Sequence, residues 1–339
     1  MKLRTMLDVV RQGQLRVLLT GLRITRPFYR LVWLVSAFRA GLLRRLSAGP
    51  ASLPKLAQEM TRGDADHDWL EKWLEMGVRV GELRQQGATY SPRGFLAKRL
   101  AEPKNDAIAA ILEEVVTLHH KLIVETPARL ASGEHFTLAD QDGVLIARSS
   151  PVVRLFLHEA IDEVVPRRGA MRLLEVGAGS GTYIRHAAER NPDLTALGLE
   201  LQPEVAEFAN ANLRKWGLAA RATVDKGDVR DRAPEAAFDL VTFHNNIYYF
   251  PVAERAALLE HALAFLKPGG TILLTTTCSG GSPAAVALDI WSAGTERCGR
   301  LPAPEELVDH MREAGFVDAR AKRLIPNESF YALFGRKRS

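Results

Sequence analysis

The sequence predicts an α/β sheet of mainly parallel strands in its C-terminal half, closed by an antiparallel edge hairpin, behind a mainly α-helical domain. Three observations carry this. From residue 171 onward, short apolar runs alternate with helical patterns, the order that builds a parallel sheet with helical crossovers. The first of those runs breaks into three glycines at alternate positions, Gly177, Gly179 and Gly181. Over residues 1–130, helical spacing dominates and strand patterns are scarce.

A chain of 339 residues exceeds the ~250–300 at which single cores stop growing, so two domains are expected, 1–140 and 141–339. With 47% hydrophobic and 25% charged residues the composition is that of a globular protein. Two cysteines, Cys278 and Cys298, make no disulfide framework and lack metal-ligand spacing; no metal is expected, and a reducing cytoplasm fits best. Arg11, Arg16 and Arg23 interrupt the N-terminal apolar residues, which argues against a signal peptide. The run Leu31–Phe38 falls far short of the ~20 residues of a membrane span.

The net charge of +5 is uneven. Residues 1–50 hold ten Lys/Arg, from Lys2 and Arg4 to Arg45, against one acid, Asp8, which leaves the remainder mildly acidic. The plain reading is an amphipathic interface helix kept soluble by arginine. An acidic partner, a membrane surface or an anionic substrate stays open.

Along the first domain, Thr25 and Pro27 mark a helix start. Leu31, Leu34, Val35, Phe38, Leu42 and Leu46 then give it one apolar face, and Gly49-Pro50 ends it. Leu53–Met60 forms a short helix. A polar turn to Asp66 leads to another, carrying Trp69, Leu70, Trp73, Leu74 and Met76. Gly87 turns a hairpin between Val78–Leu83 and Ala88–Tyr90. This is winged-helix order, which brings DNA binding into view. However, the helix that would enter the groove carries Asp66, Asp68, Glu71 and Glu75, which repel phosphate, so nucleic acid is not the expected partner. Helical patterns follow over Lys104–Leu130 and Leu145–Val165, and Pro166–Ala170 makes a polar bridge.

The strands then read Arg172–Val176, Thr195–Glu200, Ala220–Asp225, Phe238–Phe243 and Gly270–Thr277. Asp318–Leu324 and Ser329–Gly335, joined by a tight Pro-Asn turn, form the antiparallel pair at the edge.

Chemistry gathers at the strand ends. Glycines let the chain turn sharply and let a ligand approach the backbone. A dinucleotide fingerprint needs glycine or alanine at 182, which is Thr. Glu175, two residues before the first glycine, repels a pyrophosphate but suits the ammonium of a methionine moiety. This favours a sulfonium amino-acid nucleoside over NAD. Glu200 ends the next strand, placed to accept ribose hydroxyls, with Leu201 after it. The third strand runs into Gly227, Asp228 and Val229, an acceptor for an adenine amino group and an apolar wall. Three acids at successive strand ends, where open α/β sheets bind ligands, make one site.

With those residues in view, the stretch 171–277 resembles the class I S-adenosylmethionine-dependent methyltransferases. The resemblance rests on Glu175–Gly181, Glu200, Gly227-Asp228, Phe238–Val241 and Leu266–Gly270, with the edge hairpin and Arg312–Phe316. It implies a Rossmann-like sheet and S-adenosyl-L-methionine as cofactor. More weakly, Ala40–Leu43, Leu53–Met60 and Gly87–Arg93 are similar to the winged-helix dimerisation domain of small-molecule O-methyltransferases. That implies a homodimer whose chains cap each other's acceptor pocket.

The plant-type relatives carry a histidine as general base after the fourth strand. Here the stretch His244–Phe250 places Tyr248 at that point, and a tyrosine near its ordinary pKa of ~10 is a poor base at neutral pH. Tyr248 is expected to orient a nucleophile, and His244 and Asn245 to contact the methionine part or the acceptor. In the insertion Cys278–Arg300, Asp289 and Trp291 are the candidate substrate contacts. The expected reaction is methyl transfer to a small organic acceptor, first to oxygen of a hydroxyl or carboxylate, in natural-product metabolism. Nitrogen or carbon methylation, non-methylating chemistry on the same cofactor, and a DNA-binding cofactor sensor remain as alternatives.

Overall fold

The computed structural model describes residues 10–61 and 66–339; Lys2, Arg4, Asp8 and the polar turn over 62–65 lie outside them. Two compact units divide the chain, Met1–Val116 and Thr117–Ser339. The sequence put the border at 140. The segment after Val116 joins the second unit because Leu118, Leu122 and Phe136 bury themselves with Trp291.

The first unit opens with α1 (Gln14–Arg39), a single helix with Pro27 in its interior rather than at a start. Proline there removes an N–H and crowds the carbonyl one turn back. Residues 14–30 are exposed on all sides, so water can bond the carbonyl that Pro27 leaves free. The expected run to Gly49-Pro50 is two helices. Gly41, with φ 76°, breaks it, and α2 (Leu42–Ser47) follows. Trp33, Leu34, Leu42, Leu43 and Leu46 form a core with β1 (Ala51–Ser52), α3 (Leu53–Met60) and α4 (His67–Arg79). Gly77 of α4 is required: a Cβ there would lie 2.2 Å from the Trp33 ring.

The wing is β2 (Leu83–Gln86) and β3 (Thr89–Pro92), with β1 added as a third antiparallel strand. Val78 and Arg79, expected in the hairpin, stay in α4. The unit ends with α5 (Phe95–Arg99) and α6 (Asp106–Glu114).

In the second unit α7 (His120–Ser132) leads to α8 (Gly143–Ser149) and α9 (Arg154–Val164). The single helix expected over Leu145–Val165 is interrupted by a tight turn at Ser150–Val153, where Pro151 has no N–H to continue the α ladder. The strands are β4 (Met171–Val176), β5 (Leu194–Glu200), β6 (Ala222–Lys226), β7 (Phe238–His244), β8 (Leu266–Thr277), β9 (Val317–Arg323) and β10 (Phe330–Arg336). They form one seven-stranded sheet in the order β6-β5-β4-β7-β8-β10-β9. The first five are parallel; β10 runs antiparallel between β8 and β9, which completes the expected hairpin.

Helices cover both faces of the sheet, so its strands read as near-continuous apolar runs. Successive residues point to opposite sides. Leu173 and Leu240 join the core with α9, α10 (Thr182–Arg190) and α11 (Pro203–Lys215). Leu174 and Val241 join that with α12 (Arg255–Phe265) and α14 (Pro304–Glu313), α13 (Pro283–Gly294) lying between these two in the chain. Full burial of one such leucine stabilises by roughly 1.5–3 kcal/mol. Strand order departs in opposite directions from β4 and β7, and the crevice at their carboxyl ends is the switch point where open sheets bind ligands. No helix among the described residues is long and apolar enough to cross a membrane.

Candidate active site

A cavity of about 520 Å³ opens over the carboxyl ends of β6, β5, β4 and β7. Its floor is the turn after β4. The N–H groups of Gly177 and Ala178 both donate to the Leu199 carbonyl, at 2.8 and 3.0 Å, which ties the turn to β5. Gly177 has φ 68°, and a Cβ there would lie 2.4 Å from Asn246 Nδ2. Gly179 faces open space, and its N–H donates to Glu200 Oε2 at 3.0 Å. Gly181 lies off the cavity as the first residue before α10, with Leu213 and the Ala209 carbonyl beside it.

Glu175 lies one residue short of the end of β4, behind the cavity-lining Val176 and Gly177 rather than on the cavity wall; it is buried to 1% exposure, and its Oε1 has no hydrogen-bond partner. Burial, with Glu200 nearby adding to it, pushes its carboxyl well above the ordinary range. A positive charge arriving beside it would favour its ionised form. Burial also raises Glu200, although the N–H groups of Gly179, Gln202 and Leu201 donate to its carboxylate. Leu201 is 48% exposed and lines the rim.

After β6, Gly227, Asp228 and Val229 line the next wall. Asp228 is engaged: Arg230 donates to it through Nη2 at 2.6 Å and through its backbone N–H at 3.0 Å. Partial burial pushes the Asp228 carboxyl up, but the Arg230 bonds outweigh it and hold the group below its ordinary value. Val229 is buried and presents an apolar surface.

The end of β7 supplies the opposite wall. His244 Nδ1 bonds Thr275 Oγ1 at 2.8 Å, while Nε2 is buried without a partner. Burial pushes this imidazole down to about 3, so the ring is neutral at working pH. Asn245 takes a left-handed backbone, φ 54°, and its N–H donates to the Thr275 carbonyl at 2.7 Å. Asn246 Nδ2 donates to the Val176 carbonyl, joining β7 to β4 beneath the cavity.

The remaining expected residues are placed elsewhere. Tyr248 is buried, its carbonyl accepting from Gly299 N–H, and does not line the cavity; its neighbour Tyr249 does. Asp289 Oδ1 accepts from the Leu301 N–H at 2.8 Å, a loop-fixing bond away from the cavity. Trp291 is 1% exposed, its ring 5.9 Å from Phe136 in an apolar core. Sequence reasoning missed Gln141, Asn246, Arg230, Tyr249, Glu296 and Arg297. Gln141 Nε2 donates to the Tyr249 hydroxyl at 3.1 Å across 108 residues of chain, a pairing without a local signal. Asn246 and Tyr249 stood in the stretch after β7 that already drew notice.

Residues 174–272 match the family described as a methyltransferase domain. The chain is 27% identical over 194 residues to demethylspheroidene O-methyltransferase of Rhodobacter capsulatus, covering 56% of this chain and 48% of that protein. It is 30% identical over 205 residues to nocamycin O-methyltransferase of Saccharothrix syringae, covering 52% of this chain and 70% of that protein. It thus spans about half the length of the first relative and more of the second. Among solved structures, the mitomycin 7-O-methyltransferase MmcR superposes with a TM-score of 0.77 at 17% identity, over 96% of this chain and 99% of that one, a likeness of fold.

Proposed function

The chain belongs to the class I S-adenosylmethionine-dependent O-methyltransferases, and from that premise we propose that it methylates an oxygen of a small organic acceptor. The observation that carries the reading is the buried Glu175 carboxyl near the end of β4, whose Oε1 has no hydrogen-bond partner, in a strand that runs directly into the cavity-lining Val176 and Gly177, with the Glu200 charge close enough to act on it. That arrangement suits a ligand with a cationic amino-acid end and a nucleoside end. S-adenosyl-L-methionine supplies, when bound, a methyl group already activated on a positively charged sulfur.

This chain's residues then hold and exclude. Glu175 and the Gly177–Gly179 turn would take the amino-acid end, Glu200 the ribose hydroxyls, and Asp228 and Val229 the adenine, with Leu201 an apolar edge. His244 and Asn245 border the space beyond. Neutral His244, pushed to about 3, is too weak a base to draw a proton at neutral pH. Tyr248 is set back from the cavity, so we assign the orienting role to the Tyr249 hydroxyl, held by Gln141. Rate then comes from aligning an acceptor that ionises readily rather than from a strong base.

The N-terminal unit is read as a dimerisation domain. Its support is the exposed apolar surface of α1, with Val17 at 74% and Ile24 at 69% exposure. The catalytic reading is tested by incubating the protein with S-adenosyl-L-methionine and candidate phenols and acids. A product heavier by one methylene supports it. An S-adenosylmethionine-dependent product of unchanged composition overturns it in favour of non-methylating chemistry.

A further inference from the structure

We infer that Arg297, with Glu296 beside it, recognises the acceptor, and that the acceptor is an organic acid also bearing a hydroxyl group; this rests on the methyl-transfer reading above. The charged groups lining the cavity fall into two sets. In one, each is engaged. Glu200 accepts three backbone N–H groups, Asp228 holds Arg230, and Arg230 also reaches Glu254 at 3.1 Å. In the other, Glu296 and Arg297 line the same cavity, yet among the described residues neither side chain makes a hydrogen bond or ion pair. They do not pair with each other either.

Their backbone is nonetheless well determined. The Glu296 N–H donates to the Phe136 carbonyl at 2.8 Å, and the Gly299 N–H to the Tyr248 carbonyl at 2.9 Å. Behind the segment, buried Arg255 donates to the Arg300 carbonyl at 2.6 Å. Arg297 has a left-handed backbone, φ 61°. Four described non-glycine residues have positive φ, and two of them, Asn245 and Arg297, face this cavity. Such conformations persist where the surroundings over-determine them, and they gather at ligand clamps.

A guanidinium without a partner presents a planar fork of donors, which a carboxylate matches with two parallel bonds. The neighbouring Glu296 carboxylate accepts and never donates when ionised, so the ligand group it can bond directly is a donor. A hydroxyl meets that need and is also the group that methylation on oxygen consumes. Both side chains are exposed at the cavity and free to engage a ligand.

The test uses the full chain saturated with S-adenosylhomocysteine, titrated calorimetrically with the three hydroxybenzoates and the three matching hydroxybenzamides. At least one acid is expected to bind about tenfold or more tightly than its amide, the size of one charge-assisted contact. In Arg297→Gln that preference falls to about one, and Arg297→Lys, which keeps a charge without the fork, retains part of it. Thermal unfolding shows whether each variant is folded. No preference for acid over amide in the wild-type protein, including no binding by either set, overturns the inference. So does a preference that survives Arg297→Gln. Failure of S-adenosylhomocysteine itself to bind overturns the methyl-transfer reading instead, so the two failures are distinct.

Discussion

Asn246 donates its side-chain N–H to the carbonyl of Val176, bonding the end of β7 to the end of β4 at the point where strand order reverses. The same amide occupies the space into which a Cβ at Gly177 would project. Gly177→Ala therefore meets two penalties, a left-handed backbone costing about 1–2 kcal/mol and displacement of Asn246. A loss of more than tenfold in S-adenosylhomocysteine affinity is expected. Asn246→Ala should relieve the clash but cost about 1–3 kcal/mol by orphaning the Val176 carbonyl. Titration of both single variants and the double variant measures the coupling. Additive effects would contradict the shared space.

Cofactor affinity should rise with pH. In the free protein burial holds the Glu175 carboxyl well above its ordinary value, so binding a cationic ligand expels its proton. Calorimetry in two buffers of different ionisation enthalpy should report net proton release on binding, growing as the pH is lowered. Stability of the ligand-free protein moves the other way. A raised acid in the folded state favours folding below the unfolded pKa of ~4.3, and that advantage is lost as pH rises towards the folded value. Glu175→Gln should therefore stabilise the free protein at pH 7 while destroying cofactor affinity, as followed by thermal melting and titration.

His244 produces the opposite slope. Its folded pKa of about 3 lies below the unfolded ~6.5, so its neutral form supports folding above pH 6.5. That support is lost as pH falls from 6.5 towards 3. His244→Asn should flatten the acid limb of the stability curve, on the order of a few kcal/mol across that window. An unchanged limb would mean the ring is protonated or solvated in the folded state.

Trp291 distinguishes a substrate contact from a core residue. Packed with Phe136, Leu118 and Leu122, it should cost about 3–5 kcal/mol on Trp291→Ala. The milder Trp291→Phe should lower Tm and leave KM for the acceptor within twofold. A large rise in KM without loss of Tm would restore the substrate role.

The apolar surface of α1 predicts self-association. Val17→Glu with Ile24→Glu should convert a dimer to monomer in sedimentation, without loss of helical circular dichroism. A wild-type protein that sediments as a monomer would contradict the dimer.

What the sequence discloses about this site follows chain proximity. Glu175, the glycines, Glu200 and Asp228 each sit at the end of an apolar run, so strand periodicity alone carries them to one edge of the sheet. Gln141 and Tyr249 meet only after folding, and neither has a local pattern that names the other. Trp291 shows the converse problem. An aromatic in an insertion has the same signature whether it lines a pocket or fills the core behind it. In the helical half, the prolines misled in two ways. Pro27 carries the mark of a helix start yet lies within α1, in a stretch exposed on all sides; Pro151 does break its helix, in the middle of an otherwise unbroken apolar pattern.

Whether the strand-end carboxylates around the glycine turn bind the adenosyl amino acid is decided by titration calorimetry with S-adenosylhomocysteine. Saturable binding to the wild-type protein is expected, weakened at least tenfold in Glu200→Ala and again in Glu175→Gln, each shown to be folded by thermal melting. Saturation with unchanged affinity in both variants, or no binding to folded wild-type protein, would contradict it.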